Sequence, residues 1–496
     1  MLTRRRFLNF TASLPPSLLL GSGCMRDGVD ASGAWVDDIH AQLNRTHVRQ
    51  LHRPASVAAL QAQVRDAASA DRPIAISGGR HAMGGQQFAT DGDLIDMRAL
   101  NRVLGFDADK GLIEIEAGID WPALVEYLLR EQRNRPRQWG IAQKQTGADR
   151  LTLGGALAAN VHGRGLAMKP IIADVEAFTL VGADGVIRRC SRQENAELFR
   201  MAIGGYGLFG AIATVTLRLV PRIKLERVVE VIDLDMLPSR IEARIAAGYR
   251  YGDFQYSTDM DSDGFLRRGV FSCYRPVDPQ TPIPESQKEL SEDDWRRLLY
   301  LGHVDKKRAF DVYAGYYLST SGQFYWSDTH QLSTYIDNYH HEIDRRLGAR
   351  EPASEMISEI YVPRSSLIEF MAQVARDFRD NDVNVIYGTI RLIERDDESF
   401  LPWARERFAC VIFNLHVAHS PAGLDKAAVD FRRLIDRGLR FGGGYYLTYH
   451  RWATREQVTA CYPQFAEFLR AKRRYDPAER FQSDWYRHYK AMFAGV

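Results

Sequence analysis

Apolar and polar positions alternate along this chain with periods of about 2 and about 3.6 residues, the signatures of strands and helices. Residues 73–76 form a short apolar run that reads as a buried strand, and 94–97 form a second. Residues 112–118 alternate strictly, and 121–130 follow with helical spacing. Ser56 is placed to cap a helix over 57–70, and the polar stretch 35–60 before it also reads as helical. Residues 175–181 and 185–189 flank Ala183-Asp184-Gly185, and an Asp-Gly between alternating runs predicts a hairpin. A short helix over 194–201 and a strand over 213–219 come next. Strands are again predicted over 228–232, 385–393 and 410–416. In the last, Cys410, Ile412 and Asn414 share one face and Val411, Phe413 and Leu415 the other. Mixed short units of this kind predict an α+β fold.

Three glycine segments interrupt the map. The first follows the 73–76 strand: Ser77-Gly78-Gly79-Arg80-His81-Ala82-Met83-Gly84-Gly85. Glycines so close together allow positive φ and a close backbone approach, and inward amides form a nest for an anion such as phosphate. The second runs from Leu153-Gly154-Gly155 to Asn160-Val161-His162-Gly163, with Thr146-Gly147 upstream. The third is Gly204-Gly205-Tyr206-Gly207-Leu208-Phe209-Gly210. One such loop reads equally well as a tight turn, but three in order point to a bound phosphate-bearing group.

Composition changes little in this picture. With 496 residues, 45% hydrophobic and 26% charged, the chain can bury a large core in two lobes. A net charge of +2 without a basic tract gives nucleic acid no footing. The five cysteines are scattered without metal-ligand spacing, and the last four read as reduced core residues.

The first thirty residues stand apart. Arg4-Arg5-Arg6-Phe7-Leu8 before a short apolar stretch reads as a twin-arginine export signal, a periplasmic address. Leu18 to Cys24 resembles a lipoprotein cleavage site, with Gly21 where a larger aliphatic residue is usual, so Cys24 is a candidate lipid anchor.

Gly78-Gly79-Arg80-His81, Gly154-Gly155 with Asn160-Val161-His162-Gly163, and the third glycine segment resemble the FAD-binding domain of the vanillyl-alcohol oxidase family. The resemblance implies a two-subdomain PCMH-type FAD-binding domain over 35–223, a substrate (cap) domain over 224–454, and a C-terminal return segment over 455–496. It implies FAD held by Ser77, Gly78, Gly79, Arg80, His81, Ala82, Gly84, Thr146, Gly147, Gly154, Gly155, Asn160, Val161, His162, Gly163 and Ile212. It also implies a covalent bond from His81 to the flavin 8α-methyl group, without a second cysteine link, since no Cys lies between Cys24 and Cys190.

Residues 385–393 followed by Asp396-Asp397 resemble a strand of aldonolactone and alditol oxidoreductases, where a Glu-Ile-Arg triplet faces the flavin. Arg391 matches the arginine, whereas Thr389 stands at the glutamate's place and leaves the sugar substrate open. The ending from Tyr462 to Asp484 is similar both to the sugar oxidoreductases and to decaprenylphosphoryl-ribose oxidases, which act on a lipid-linked sugar. Alcohol oxidation needs a group to receive the hydroxyl proton, and the candidates are His416, Tyr449 and His450, with Arg391 stabilising negative charge. Tyr313 to Tyr317 and Phe324 to Trp326 read either as a carbohydrate-pocket wall or as strand packing. Val161 stands where relatives carry a small residue admitting oxygen, which favours a dehydrogenase using a quinone, cytochrome or other acceptor. A flavoprotein-like binding factor without chemistry is the competing class.

Overall fold

The computed structural model describes residues 33–495. The export-signal and Cys24 readings fall outside them. Mixed sheets and helices give the α+β class expected from the alternation.

Three short strands form a parallel sheet with Asp93–Asp96 between Gln50–His52 and Ile74–Ser77. The helix Val57–Ser69 connects the two outer strands, and Ser56 Oγ accepts from the Ala59 amide at its start. A five-stranded antiparallel sheet lies beside it, in the order Ile187–Ser191, Val175–Val181, Ala211–Arg218, Leu112–Glu116, Val103–Asp107. Its first two strands are the Asp184-Gly185 hairpin, which pairs Ile187 with Val181. Gly185 takes a φ of +69° there, the conformation such a turn demands.

The largest sheet has eight antiparallel strands, in the order Phe324–Trp326, Lys224–Asp233, Arg268–Pro276, Tyr251–Tyr256, Val385–Ile393, Phe408–Ala418, Ala353–Pro363, Gly444–Tyr445. The chain then returns to the first sheet: the Ile74 amide donates to the Arg480 carbonyl at 2.7 Å and the Gln482 amide to the Ile74 carbonyl at 2.8 Å. Residues more than four hundred positions apart thus hold the strand that leads into the first glycine loop. No helix among the described residues is long and apolar enough to cross a membrane.

Two readings of the sequence are corrected. Residues 35–60 contain the short strands Ala34–Val36, Thr46–Val48 and Gln50–His52 before the helix begins. A helix is diverted there because Asp38 Oδ1 accepts from the amides of His40, Ala41 and Gln42, a local turn that competes with helical hydrogen bonding. Tyr313, Tyr316 and Tyr317 belong to the helix Lys306–Ser319, capped by Asp305, and not to a strand.

Candidate active site

A cavity of about 1130 Å³ lies between the glycine segments and one face of the eight-stranded sheet. Its first wall begins at the carboxyl end of the strand Ile74–Ser77, where ligands of open parallel sheets are usually held. Gly78 and Gly79 have negative φ and serve the close approach expected of the loop, while Gly85 takes the positive φ, at 76°. A Cβ on Gly78 would stand 2.1 Å from Thr152 Oγ1, and one on Gly79 2.2 Å from the Arg150 carbonyl. The first glycine loop therefore packs directly on the segment entering the second. Thr152 caps the helix Leu153–Ala159, its Oγ1 accepting from the Gly155 amide, and the Gly154 amide donates to the Ala117 carbonyl.

The opposite wall is a sheet face read across three strands. Backbone pairing aligns Arg391 with Cys410 and Tyr361, Thr389 with Ile412 and Glu359, Tyr387 with Asn414 and Ile357, and His416 with Glu355. Arg391, Tyr387, Ile412, Asn414, Ile357 and Glu355 reach the cavity. Arg391 is 6% exposed, and its Nε and Nη1 are buried without a hydrogen-bond partner among the described residues.

The cavity reaches Ser77, Gly78, Gly79, Arg80, His81, Ala82, Thr146, Gly147, Gly154, Gly155, Val161 and Ile212, together with Arg391 and Tyr449. It does not reach Gly84, Asn160, His162 or Gly163, which stand behind the lining residues. Gly84 packs on the Gln86 amide, and a Cβ on Gly163 would meet the Lys144 carbonyl. Asn160 ends the second glycine helix with a φ of 49° and donates from Nδ2 to Asp396 Oδ2, while its carbonyl accepts from Trp403 Nε1. His162 is fully buried against Glu359, at 2.6 Å.

Two of the three proton-acceptor candidates also leave the cavity. His450 is enclosed by Phe431, Tyr445 and Trp452, and burial lowers its pKa to about 3, with Arg432 adding to the shift. His416 points Nδ1 at Glu355 Oε1, 3.4 Å away, on the edge of the sheet row. The third, Tyr449, stays at the wall, its hydroxyl accepting from Gln145 Nε2 at 3.3 Å. Burial and nearby Glu359 push that hydroxyl well above its usual range, against the pull of Arg391.

Several residues at or behind the wall were not singled out by sequence. Glu355 lines it. Burial opposes its ionisation, but hydrogen bonds from His303 and His416 prevail and hold the carboxyl well below the usual range. Glu359 lies four positions on, on the same face of the strand, covered by His162. Two carboxylates at strand spacing within residues 353–363, among apolar residues and two serines, were the available signal. His40 was another: its Nε2 lies 2.8 Å from Nδ1 of His81. Asp253 also faces the cavity.

The residues present fit a flavin dinucleotide. Ser77 Oγ, Thr146 Oγ1, Gln145 Oε1 and His81 Nε2 are buried polar atoms with no hydrogen-bond partner among the described residues. Groups of this kind normally find one, and they surround a glycine-lined wall that admits a large ligand.

Comparison with known proteins supports the same fit. A family model described as an FAD binding domain matches residues 48–191. L-gulonolactone oxidase of Mus musculus is 32% identical over 175 residues, 35% of this chain, and the match spans only 38% of that enzyme's length. L-gulono-1,4-lactone dehydrogenase of Mycobacterium tuberculosis is 24% identical over 88% of this chain and 94% of its own. Decaprenylphosphoryl-beta-D-ribose oxidase of Mycolicibacterium smegmatis is 23% identical over 81% of this chain and 85% of its own.

Proposed function

We propose that this chain, which carries a PCMH-type FAD-binding domain and has sugar-lactone oxidases and dehydrogenases among its relatives, is an FAD-dependent oxidoreductase that oxidises an alcohol group of a sugar, polyol or sugar lactone. Bound FAD would supply the two-electron acceptor, taking hydride from the carbinol carbon at N5. Arg391 carries the reading. A buried guanidinium is costly unless something pairs it, and its unpartnered donors on the cavity wall call for an oxygen-rich ligand. Tyr449 orients the substrate hydroxyl, since burial keeps its own proton in place. The hydroxyl proton passes to Asp253, a carboxylate on the cavity wall one register step from the Phe254–Ile390 pair beside Arg391. Asn414 and Tyr387, in the row beside Arg391, offer further polar contacts.

His81 holds FAD covalently in this reading, which its buried and unpartnered Nε2 supports. Val161 at the cavity wall, 4% exposed, restricts oxygen and favours a dehydrogenase passing electrons to a quinone, cytochrome or similar acceptor. An exported, periplasmic protein remains the proposal for location.

A specific observation favours a second reading, an alcohol attached to an apolar or lipid group. The loop 277–290 and the helices Glu292–Val304 and Lys306–Ser319 bring Ile283, Leu290, Trp295, Leu298 and Phe310 to the cavity, beside charged residues of the same segments such as Glu285 and Lys288. Anaerobic bleaching of the flavin absorbance by a panel of aldonolactones, polyols, aldoses and alkyl glycosides separates the two. Bleaching by the free sugars supports the first, bleaching by the alkyl glycosides alone supports the second, and no bleaching by any of them counts against both. Rapid stoichiometric hydrogen peroxide in air would overturn the dehydrogenase preference.

A further inference from the structure

Two histidines meet on one oxygen of Glu355. His303 Nε2 lies 2.8 Å from Glu355 Oε1, and His416 Nδ1 lies 3.4 Å from the same atom. Three elements deliver them. His303 lies in the last turn of the helix Glu292–Val304, Glu355 near the start of the strand Ala353–Pro363, and His416, its backbone partner, on Phe408–Ala418. Glu355 is 52 positions from one histidine and 61 from the other, so no short motif in the sequence announces the cluster.

The hydrogen positions leave a positive charge to be supplied. His303 Nδ1 faces the Leu299 carbonyl at 2.8 Å, and a carbonyl only accepts, so that nitrogen carries hydrogen. A neutral ring then turns the Nε2 lone pair toward a carboxylate oxygen, which repels it. Contact at 2.8 Å requires a cation between them, either a second proton on His303 or a metal ion. Lys306 does not serve, because its ammonium donates to Asn384 Oδ1 at 2.7 Å and to the Val385 carbonyl at 2.6 Å.

The second imidazole favours the metal. One carboxylate oxygen and two ring nitrogens lie within 4.8 Å of one another, and donor atoms around a tetrahedral zinc ion stand about 3.3 Å apart, given bonds of about 2.0–2.1 Å. The Leu299 carbonyl is the outer partner that fixes a ligating histidine in the correct tautomer. The side chains of His303 and Glu355 are 2% and 3% exposed, whereas His416 is 24% exposed and leaves a path for entry.

We propose that His303, Glu355 and His416 form a binding site for a divalent first-row cation of the zinc type, with a fourth position left to water. As the cation enters, a metal–nitrogen bond replaces the N–H bond at His303 Nε2, and that proton goes to solvent. The site is structural and independent of the flavin chemistry. Six residues of strand separate His416 from Cys410, the backbone partner of Arg391, a distance of about 20 Å. The cation ties the helix Glu292–Val304, which brings Trp295, Leu298 and Leu299 to the cavity, to two strands of the largest sheet.

The test uses the full chain with its flavin and without an affinity tag, stripped by a chelator and titrated with zinc or cobalt chloride. Wild type should take up one zinc ion per chain and release about one proton, read by calorimetry in buffers of different ionisation enthalpy. Cobalt should give the intense visible absorption of a four-coordinate ion, resolved from the flavin bands by difference. Zinc should also raise the Tm. His303→Ala and His416→Ala should keep the flavin absorbance, lose the zinc-dependent rise in Tm, and bind zinc more than about 100-fold more weakly, beyond the loss that outer-partner changes bring. Should an alanine variant fail to fold, the cobalt spectrum and proton release of wild type decide by themselves. Zinc binding unchanged in both variants, or wild type without a four-coordinate cobalt spectrum, shows that the three side chains hold only a proton and overturns the proposal.

Discussion

His162 Nε2 lies 2.6 Å from Glu359 Oε1, with both side chains fully enclosed, and the contact joins the second glycine segment to the eight-stranded sheet. His162 Nδ1 faces the Gly163 carbonyl at 3.1 Å, and a carbonyl only accepts, so that nitrogen carries hydrogen. Glu359→Ala removes the partner and leaves a buried polar ring, a change that typically costs about 3–5 kcal/mol when the pair is ionic. Glu359→Gln can still donate an amide hydrogen to Nε2 and should cost about 1 kcal/mol. Thermal unfolding of the two variants should show a much larger loss of Tm for the alanine.

Gly78→Ala should abolish FAD binding or weaken it at least 100-fold, because its Cβ would stand 2.1 Å from Thr152 Oγ1 and force the two glycine segments apart. Gly105→Ala is the control: no atom lies within 4 Å of its Cβ position and its φ is ordinary. Titration with FAD, followed by quenching of flavin fluorescence, measures both.

Arg391→Ala should lower kcat/KM by about 100-fold or more, the usual scale for removing a positioned donor from a developing charge. Arg391→Lys keeps the charge but loses the planar set of donors, and should recover only part of the rate. Equal FAD content in both variants, checked by absorbance, confines the effect to substrate turnover. An unchanged kcat/KM in Arg391→Ala would remove this residue from the site.

The sequence reveals what is local. The hairpin at Asp184-Gly185, the cap at Ser56 and the strands over 175–181 and 385–393 are all written within a few residues, and the structure has them. It does not reveal partners brought together by packing, such as His162 and Glu359, 197 residues apart, or His40 and His81, 41 apart. His450 and His416 looked like chemistry because histidine is rare and versatile. Packing instead surrounds the first with aromatic rings and places the second beside Glu355. The first glycine loop was legible only in part: Gly85 takes the positive φ its glycines suggested, at 76°, but Arg80 takes the left-handed conformation too, with φ of 58°, and Gly78 and Gly79 serve loop-to-loop contact.

Asp174 gives the protein a pH dependence of stability with a definite sign. Burial raises its pKa from 3.8 to about 7, against the hydrogen bond from Gln143 Nε2 at 2.9 Å and the charge of Arg218. The folded chain therefore holds a proton on Asp174 at pH values where the unfolded chain has lost it. Stability from this group is complete below about pH 4, falls as pH rises, and is gone above about pH 7. Asp174→Asn keeps an oxygen to accept from Gln143 and has no proton to lose. The Tm of the variant should match wild type near pH 4 and exceed it increasingly between pH 5 and pH 8. Comparing the two chains cancels every other titrating group, so a difference that stays constant across that range, or grows toward acid, would show that Asp174 is ionised in the folded state.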